Sequence, residues 1–226
     1  LYIDGSDPVI EDCIVQGNYQ GVHIKDSDAI FRSNTVKDNT SPSTGSGLKV
    51  VSSTSLIEKN LFEGNLGEAL YLDDATARVY TNLFFDNSGS AIKIMPTDAS
   101  EIISNTLDGN HIGLYLGSSS LNTIMLNNQI TNSTTYGVRT TSSSTHWDKF
   151  AGNNIWNSTL VNYNYNDRSG YDGNISQDPN FTDEDDYTML WPTLAIDGGQ
   201  DLSSYGISED FTGSPRTRGI APDIGA

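Results

Sequence analysis

Residues 55–75 read SLIEKNLFEGNLGEALYLDDA, and this stretch contains three short apolar segments separated by polar turns. The first segment begins at residues 56–57, the second at residues 61–62, and the third occupies residues 69–72. Each is too short for a helix, and apolar and polar side chains alternate within it, as expected for a half-buried strand. The stretch therefore predicts a unit of three short β-strands.

The same unit recurs along most of the chain. An asparagine returns every 21 to 26 residues, an apolar residue follows it two positions later, and a second polar residue follows five positions later. A repeat of this length is too small to bury its own apolar face, which is typical of a solenoid. The first row is Asn34, Asn60, Asn82, Asn105, Asn128 and Asn154, with Cys13 in the first position, and the second row is Asn18, Asn39, Asn65, Asn87, Asn110, Ser133 and Thr159.

The fold class predicted from this pattern is all-β, specifically a right-handed parallel β-helix of about seven three-stranded coils. Stacked asparagines can bond one another and the corner backbone, because an amide carries both a donor and an acceptor. We expect the single cysteine, Cys13, to be a small buried residue without a disulfide partner. The predicted inward rows are Ile10, Phe31, Ile57, Val79, Ile102 and Met125 on one sheet, and Val22, Leu48, Leu70, Ile92, Leu114 and Val138 on another.

Composition limits the classes of partner. The 226 residues carry a formal net charge of −17, which repels nucleic acid and anionic membrane surfaces. No apolar run approaches the roughly 18 residues of a membrane span, so we expect no membrane insertion in this segment. The repeat occupies residues 1–168 and begins inside a repeat-like phrase, so we expect further coils before it and flanking domains of a longer surface protein. Residues 169–226, here called the tail, are expected to pack on the coils as a cap, for which Phe181, Leu190, Trp191, Leu194 and Ile196 offer apolar surface.

The tail contains several specific phrases, namely NISQDPNF (174–181), DYTMLWPTLAIDGG (186–199), DFTGSPR (210–216) and APDIGA (221–226). Together with the coils, they resemble the extracellular β-helix proteins called choice-of-anchor Q domain proteins. The coils themselves resemble bacterial and archaeal right-handed β-helix proteins of the pectate-lyase-like superfamily. This resemblance spans essentially the whole chain and implies secretion and attachment to the cell surface. It does not imply one activity.

The third strand of each unit contributes to the first sheet, whose outer face is the substrate groove in related pectin-degrading enzymes. The outward positions there are cationic or aromatic, although the whole chain has only 12 lysines and arginines. Cations at the spacing of coils can bind the carboxylates or sulfates of an acidic glycan, and tyrosine rings can pack on sugar faces. The predicted ligand-binding residues are His23, Lys49, Tyr71, Lys93, Tyr115 and Arg139, with Lys25 at the next outward position of its strand.

The function predicted from these residues is an extracellular, cell-surface β-helix module that binds an acidic polysaccharide along the outer face of its first sheet. The enzyme alternative is a polysaccharide lyase or epimerase, in which Lys93 or Lys49 is the base, Arg139 neutralises the uronate carboxylate, and Tyr71 or Tyr115 is the acid. No paired aspartates of the polygalacturonase kind lie on these strands, which disfavours glycoside hydrolysis. The structural alternative is an adhesin or surface-layer spacer, because tyrosine and long basic side chains are also good exposed strand residues.

No cofactor is firmly predicted, although Ca²⁺ is a candidate. Acidic turns follow the strands of the first sheet, and carboxylate oxygens are the ligands that Ca²⁺ prefers. The candidate ligands are Asp26, Asp28, Asp73 and Asp74, with further acidic residues at Asp98 and at 183–186. The histidines, His23, His111 and His146, fall far apart in the repeat, so no zinc-type cluster is expected.

Overall fold

Three parallel sheets form the body of the protein, as a computed structural model shows. The structure describes residues 1–42, 45–95, 99–117, 122–143, 148–182, 188–217 and 219–226. Consecutive strands belong to different sheets, and each strand pairs in parallel with its equivalent one coil away. The predicted parallel β-helix is therefore confirmed. Because crossovers between parallel strands are almost always right-handed, we expect the coil to have the predicted hand.

The strands are three to five residues long and fall into the sheets in strict rotation. Sheet 1 contains β1 (Tyr2–Asp4), β4 (Val22–Lys25), β7 (Leu48–Val51), β10 (Leu70–Asp73), β13 (Ser90–Ile94), β16 (Ile112–Leu116), β19 (Tyr136–Thr140) and β22 (Val161–Tyr163). Sheet 2 contains β2 (Val9–Glu11), β5 (Ile30–Arg32), β8 (Leu56–Glu58), β11 (Arg78–Tyr80), β14 (Glu101–Ile103), β17 (Ile124–Leu126) and β20 (Lys149–Ala151). Sheet 3 contains β3 (Ile14–Gln16), β6 (Thr35–Lys37), β9 (Leu61–Glu63), β12 (Leu83–Phe85), β15 (Thr106–Asp108), β18 (Gln129–Thr131) and β21 (Asn154–Trp156).

The core is the inside of the coil, and the predicted inward rows line it in register. On sheet 2, Phe31 pairs with Ile57 and Ile57 with Val79, and all three are fully buried. On sheet 3, the Phe62 and Phe84 rings stack with centroids 4.7 Å apart. Each middle residue of a strand thus packs on its copies in the coils above and below. The apolar side chains of one repeat are therefore buried only by contact with the neighbouring coils.

Two ladders of asparagine side chains run along the corners that flank sheet 3. In the first ladder, the Asn82 Nδ2 donates to the Asn105 Oδ1 at 3.0 Å and to the Ile57 carbonyl at 2.9 Å. The second ladder repeats this geometry, as the Asn65 Nδ2 donates to the Asn87 Oδ1 at 2.9 Å. The ladder asparagines from the second coil onward are almost completely buried. They satisfy corner backbone groups that no strand neighbour reaches.

The first ladder continues through Asn153 and Asn174, so the prediction of Asn154 was wrong by one residue. The Asn128 Nδ2 donates to the Asn153 Oδ1 at 3.0 Å, and the Asn153 Nδ2 donates to the Asn174 Oδ1 at 3.0 Å. Asn154 is the first residue of β21 and bonds Gln177 in the tail instead. The same shift makes Ile155 the buried inward residue in place of the half-buried Trp156. In the second ladder, the same shift by one residue makes Ser158, and not Thr159, the residue that lies next to Ser133.

Backbone conformation explains why the asparagines recur where they do. The residue before each ladder position has a positive φ, for example Thr81 at 57° before Asn82 and Gly64 at 61° before Asn65. A left-handed residue turns the chain sharply, and it leaves the following residue pointing into the corner. The sets are Asp12, Ser33, Lys59, Thr81, Ser104, Asn127, Gly152 and Gly173 for the first ladder, and Gly17, Asp38, Gly64, Asp86, Gly109, Asn132 and Asn157 for the second.

Cys13 is exposed, which contradicts the prediction that it is buried. Its backbone N–H donates to the Asn34 Oδ1 at 3.0 Å, so it does occupy the ladder position of the first coil. Its Sγ, however, donates to the Glu11 carbonyl at 3.1 Å. The ladder position alone does not bury a side chain, because burial requires a coil on both sides.

The tail runs back along the outside of sheet 2. Asn127 anchors it, because its Nδ2 donates to the Gln200 carbonyl at 2.9 Å and its own carbonyl accepts from the Gly225 N–H at 2.8 Å. Leu202, 2% exposed, packs in a cluster with outward apolar residues of sheet 2 that include Tyr80 and Ile103. Other apolar tail residues that we expected to pack on the coils are exposed, namely Leu190, Trp191 and Leu194, whereas Phe181 and Ile196 are partly buried.

Candidate functional site

The outer face of sheet 1 carries one continuous line of cationic and aromatic side chains, here called the sheet 1 row. Strand pairing places every predicted member in register, because each lies at the equivalent outward position of its strand. Parallel strands lie about 4.8 Å apart, so each member is one such step from the next. In order along the stack, the row is Tyr2, His23, Lys49, Tyr71, Lys93, Tyr115 and Arg139.

The members contact one another through alternating cation–π pairs. The Lys49 and Lys93 Nζ atoms each lie 5.3 Å from the Tyr71 ring centroid. Tyr115 is held in the same way, between the Lys93 Nζ at 5.4 Å and the Arg139 guanidinium at 5.2 Å. Cations within about 6 Å of an aromatic face are attracted by the ring quadrupole. Within the row, the Tyr71 and Tyr115 rings therefore each lie between two positive charges.

Two carboxylates that we did not predict as part of the site neutralise the lysines. Glu68 accepts from the Lys93 Nζ at 2.9 Å, and both side chains are mostly covered, at 21% and 15% exposed. Asp73 lies 3.5 Å from the Lys49 Nζ. Each pairing joins residues of neighbouring coils, so the spacing of about one repeat was the available signal. These ion pairs leave the lysines less free to meet a ligand than their outward position suggested.

Tyr71 is the most enclosed member of the row, at 7% exposed. Burial, together with the negative charges of Asp73 and Glu68, raises the pKa of its phenol to about 12. The phenol therefore stays protonated at neutral pH, where it can donate a proton and can donate or accept a hydrogen bond. Since its ring faces the two lysines along the stack, a sugar cannot lie flat on it.

His23 lies next to Tyr2 in the row. The Tyr2 and His23 rings meet edge-on, with their centroids 5.1 Å apart. Burial lowers the pKa of His23, and the nearby positive charges of Lys49 and Lys25 lower it further. Its Nε2 is buried without a hydrogen-bond partner in the described part of the chain. A neutral imidazole here can accept a proton or hydrogen bond. Lys25 lies off the row and is paired with Asp26 at 3.2 Å and with Asp4 at 3.8 Å.

Arg139 is the most accessible cation of the row. It is exposed, and no carboxylate lies within 4 Å of its guanidinium among the described residues. Its second aromatic contact is Tyr136, a row neighbour that the sequence did not single out, with the guanidinium carbon 5.5 Å from the ring centroid. Of the four predicted lysines and arginines, the row brings together Lys49, Lys93 and Arg139, and the Arg139 end is the one open to an anion.

The candidate Ca²⁺ ligands surround the turns that follow sheet 1. Asp26, Asp28 and Asp74 line an open cavity of about 530 Å³ together with Asp7 and neighbouring serines. Their oxygens are already engaged in part, since the Asp28 Oδ1 accepts from the Thr54 N–H at 3.2 Å. Asp73 is turned to Lys49 instead. Within the described ranges, no three histidine, cysteine, aspartate or glutamate side chains converge as metal ligands. Asp98 and residues 183–186 lie outside those ranges.

The geometry defines a parallel β-helix protein with a line of cationic and aromatic side chains on its first sheet. The family comparison is consistent with this class. Residues 2–180 match the family described as periplasmic copper-binding protein (NosD), and the chain therefore belongs to that family. Neither a curated protein nor a solved structure matches the chain significantly. The matched residues cover the coils and stop at the beginning of the tail, so the likeness to choice-of-anchor Q proteins stays a prediction.

The described residues do not offer a copper site. Copper prefers imidazole, thiolate and thioether ligands, gathered at one point. Cys13 lies at a corner between sheets 2 and 3, His23 lies on sheet 1, and the His111 Nδ1 bonds the Thr134 hydroxyl at 3.1 Å. Met125 points into the core and is fully buried. No group of metal ligands forms among the described residues, and His146 is outside them.

No helix in the described ranges has the length and apolar character needed to cross a membrane.

Proposed function

We propose that this chain is a periplasmic or cell-surface β-helix module that binds an acidic polysaccharide along the sheet 1 row. The single observation that carries the proposal is the in-register line of cations and tyrosines over successive strands of sheet 1. Lys93 lies two coils from Lys49 and two coils from Arg139, and each of these intervals is about 10 Å at the strand spacing. An extended polyanion laid along the stack can meet all three.

The cations do not contribute equally in this proposal. Among the described residues no carboxylate lies within 4 Å of the Arg139 guanidinium, so Arg139 is the primary contact for a uronate carboxylate or a sulfate. Lys49 and Lys93 are shared with Asp73 and Glu68, so a ligand carboxylate has to compete for them. Binding should therefore be modest, since exposed ion pairs contribute only about 0–1 kcal/mol each, and it should weaken with added salt.

The tyrosines serve a different purpose from the one that their positions suggested. Tyr71 and Tyr115 present their faces to cations along the stack. Sugars consequently meet the ring edges and hydroxyls, and the rings hold the cations in place. A tyrosine of the row acts on affinity mainly by positioning Lys93 and Arg139.

Location outside the cytoplasm accords with the family, whose description is periplasmic. The phrases of the tail add the expectation of cell-surface attachment. The whole chain has a net charge of −17, so the sheet 1 row is a local cationic line on a negative molecule.

A second candidate function is structural, namely an adhesin or spacer without a glycan. The observation that favours it is that Lys49 and Lys93 have both charge and ring partners inside the molecule. In that case the row only stabilises sheet 1. The lyase or epimerase alternative requires the same binding, with unsaturated or epimerised products in addition.

The test is a panel of acidic and neutral polysaccharides, screened at low salt for binding and for new unsaturated ends. Arg139→Gln combined with Lys93→Gln should weaken binding of the acidic members at least tenfold. Lys37→Gln, which removes one charge from sheet 3, is the control and should leave binding unchanged. Binding that is identical in the parent and the double variant, or no binding by any acidic member, favours the structural function. Unsaturated ends would assign a lyase.

A further inference from the structure

A second groove lies on the opposite side of the molecule, where the tail crosses sheet 2. Segment 205–209 of the tail passes over β8 and β11, and a groove of about 490 Å³ remains between the segment and the sheet. Pockets for small ligands usually measure about 300–1,000 Å³. This groove shares no residue with the sheet 1 row, so it is independent of the polysaccharide site.

Apolar atoms form part of the groove wall. Leu56 on β8 and Tyr205 on the tail are partly buried, and Ile207 packs beside them in the same apolar cluster. Tyr80 closes the groove toward the sheet and is 6% exposed. An apolar wall with a few polar groups is the ordinary make-up of a sugar or small-molecule site.

Three cations surround the groove, and two of them have carboxylate partners. Arg32 pairs with Glu11 at 2.6 Å, and Lys59 pairs with Glu209 of the tail at 2.7 Å. Arg78 has no carboxylate within 4 Å among the described residues, and it is exposed toward the groove. The guanidinium of Arg78 is therefore the charge left for a ligand.

The carboxylates near Arg78 do not neutralise it. Glu101 is its register partner on β14, but the Glu101 carboxylate accepts a hydrogen bond from the Tyr80 hydroxyl. Burial raises the pKa of Glu101, and the charge of Arg78 opposes that shift from a distance. Glu58 lines the groove one coil away and offers acceptors for hydroxyl groups. Glu209 is engaged by Lys59.

We propose that this groove binds a small acidic sugar, the size of one or two uronate residues. In this assignment Arg78 binds the carboxylate, Glu58 accepts from sugar hydroxyls, and Leu56 with Tyr205 covers the less polar face of the ring. A planar guanidinium suits a carboxylate because it can donate two parallel hydrogen bonds. The tail is required for the site, since Tyr205 and Ile207 form one of its walls.

The experiment is calorimetric titration of the intact chain with galacturonate and with its dimer, using glucose as the neutral sugar of the same size. Binding of the uronates and not of glucose is the expected result. Arg78→Gln should weaken uronate binding at least tenfold, and Arg78→Lys should weaken it less. Lys149→Gln, an exposed cation farther along sheet 2, is the matched control and should bind like the parent.

Several outcomes would overturn the assignment. These are no uronate binding, equal binding of glucose, or an Arg78→Gln variant that binds as well as the parent while keeping the parental melting temperature. Loss of binding in Arg139→Gln with retention in Arg78→Gln would move the uronate to the sheet 1 row, and it would support the polysaccharide function while rejecting this groove.

Discussion

Each ladder asparagine uses its amide in two directions along the stack. The Asn87 Oδ1 accepts from both the N–H and the Nδ2 of Asn65, at 3.0 and 2.9 Å. Its Nδ2 donates to the Asn110 Oδ1 at 2.8 Å and to the Phe62 carbonyl at 3.1 Å. No other side chain of this size supplies a donor and an acceptor in one plane. The residue type is therefore dictated by the corner.

Replacing Asn87 with alanine should lower the free energy of unfolding by roughly 2–4 kcal/mol, since several buried groups lose their partners at once. Asn18→Ala is the control in the same ladder, because Asn18 is exposed at the end of the stack and accepts from no earlier asparagine. Its cost should stay below about 1 kcal/mol. Chemical denaturation measures both. Equal losses of unfolding free energy in the two variants would show that burial of a ladder asparagine does not determine its contribution to stability.

Gly64 tests the left-handed residue that precedes each rung. Its φ is 61°, and an added Cβ would meet only the Asp38 Oδ1 at 3.0 Å, the end of a flexible side chain. Gly64→Ala should therefore cost about 1–2 kcal/mol through backbone strain. Gly64→Asn should cost less, because asparagine tolerates this conformation. A larger loss of unfolding free energy for the asparagine variant would contradict the backbone explanation.

At the scale of the strand, the repeat made the fold and the sheet 1 row predictable. Inward and outward positions follow from alternation, so His23, Lys49 and Arg139 could be placed on one face without coordinates. The partners Glu68 and Asp73 were missed, because their contacts depend on how the neighbouring coil is turned. Asn154 was misassigned because Asn153 and Asn154 are adjacent, and only the hydrogen bonds distinguish them. The exposure of Cys13 was missed because periodicity assigns a ladder position and does not say whether a coil covers it on both sides.

The enclosure of Tyr71 within sheet 1 should appear in the dependence of stability on pH. Its folded pKa of about 12 exceeds the unfolded value of about 10. The protonated phenol thus favours the folded state, and this contribution is complete below pH ~10 and is lost as the pH rises toward ~12.

Tyr71→Phe keeps the ring between Lys49 and Lys93 but removes the titrating hydroxyl. We expect the parent to lose more unfolding free energy than Tyr71→Phe between pH 9.5 and 11.5, measured by chemical denaturation. The two proteins differ only in this hydroxyl, so the difference between their pH profiles isolates the phenol. Parallel pH profiles would show that Tyr71 is no more enclosed than a surface tyrosine.

At the scale of the whole molecule, the tail makes the outer faces of sheet 1 and sheet 2 different from each other. Sheet 1 is open and carries the row, whereas the apolar outer positions of sheet 2 are covered by Leu202 and its neighbours. The tail's position could not be obtained from the sequence, because its phrases have no repeat. The apolar residues we expected to bury, Leu190, Trp191 and Leu194, stay exposed, while Leu202 does the packing.

Leu202→Ala should lower the free energy of unfolding by about 2–4 kcal/mol if the tail unfolds with the coils. Leu194→Ala, at a position 61% exposed, should change it by less than about 0.5 kcal/mol. Limited proteolysis completes the experiment, because a tail that detaches on its own would be cleaved near Leu202 without a change in the unfolding of the coils. If Leu202→Ala shows neither a loss of unfolding free energy nor cleavage near residue 202, the packing of the tail on sheet 2 is contradicted.

The equivalence of the ladder positions also bears on how such a gene can change length. The Asn60 Nδ2 donates to the Asn82 Oδ1, and the Asn82 Nδ2 donates to the Asn105 Oδ1, both at 3.0 Å. A recombination event that joined the codon for Asn60 to the codon for Leu83 would remove one complete coil and place Asn105 where Asn82 had been. The core, both corners and the alternation of each sheet would survive such an event. Lys93 would then follow Lys49 directly, without Tyr71 between the two charges, so selection for the sheet 1 row would favour the gain or loss of coils in pairs.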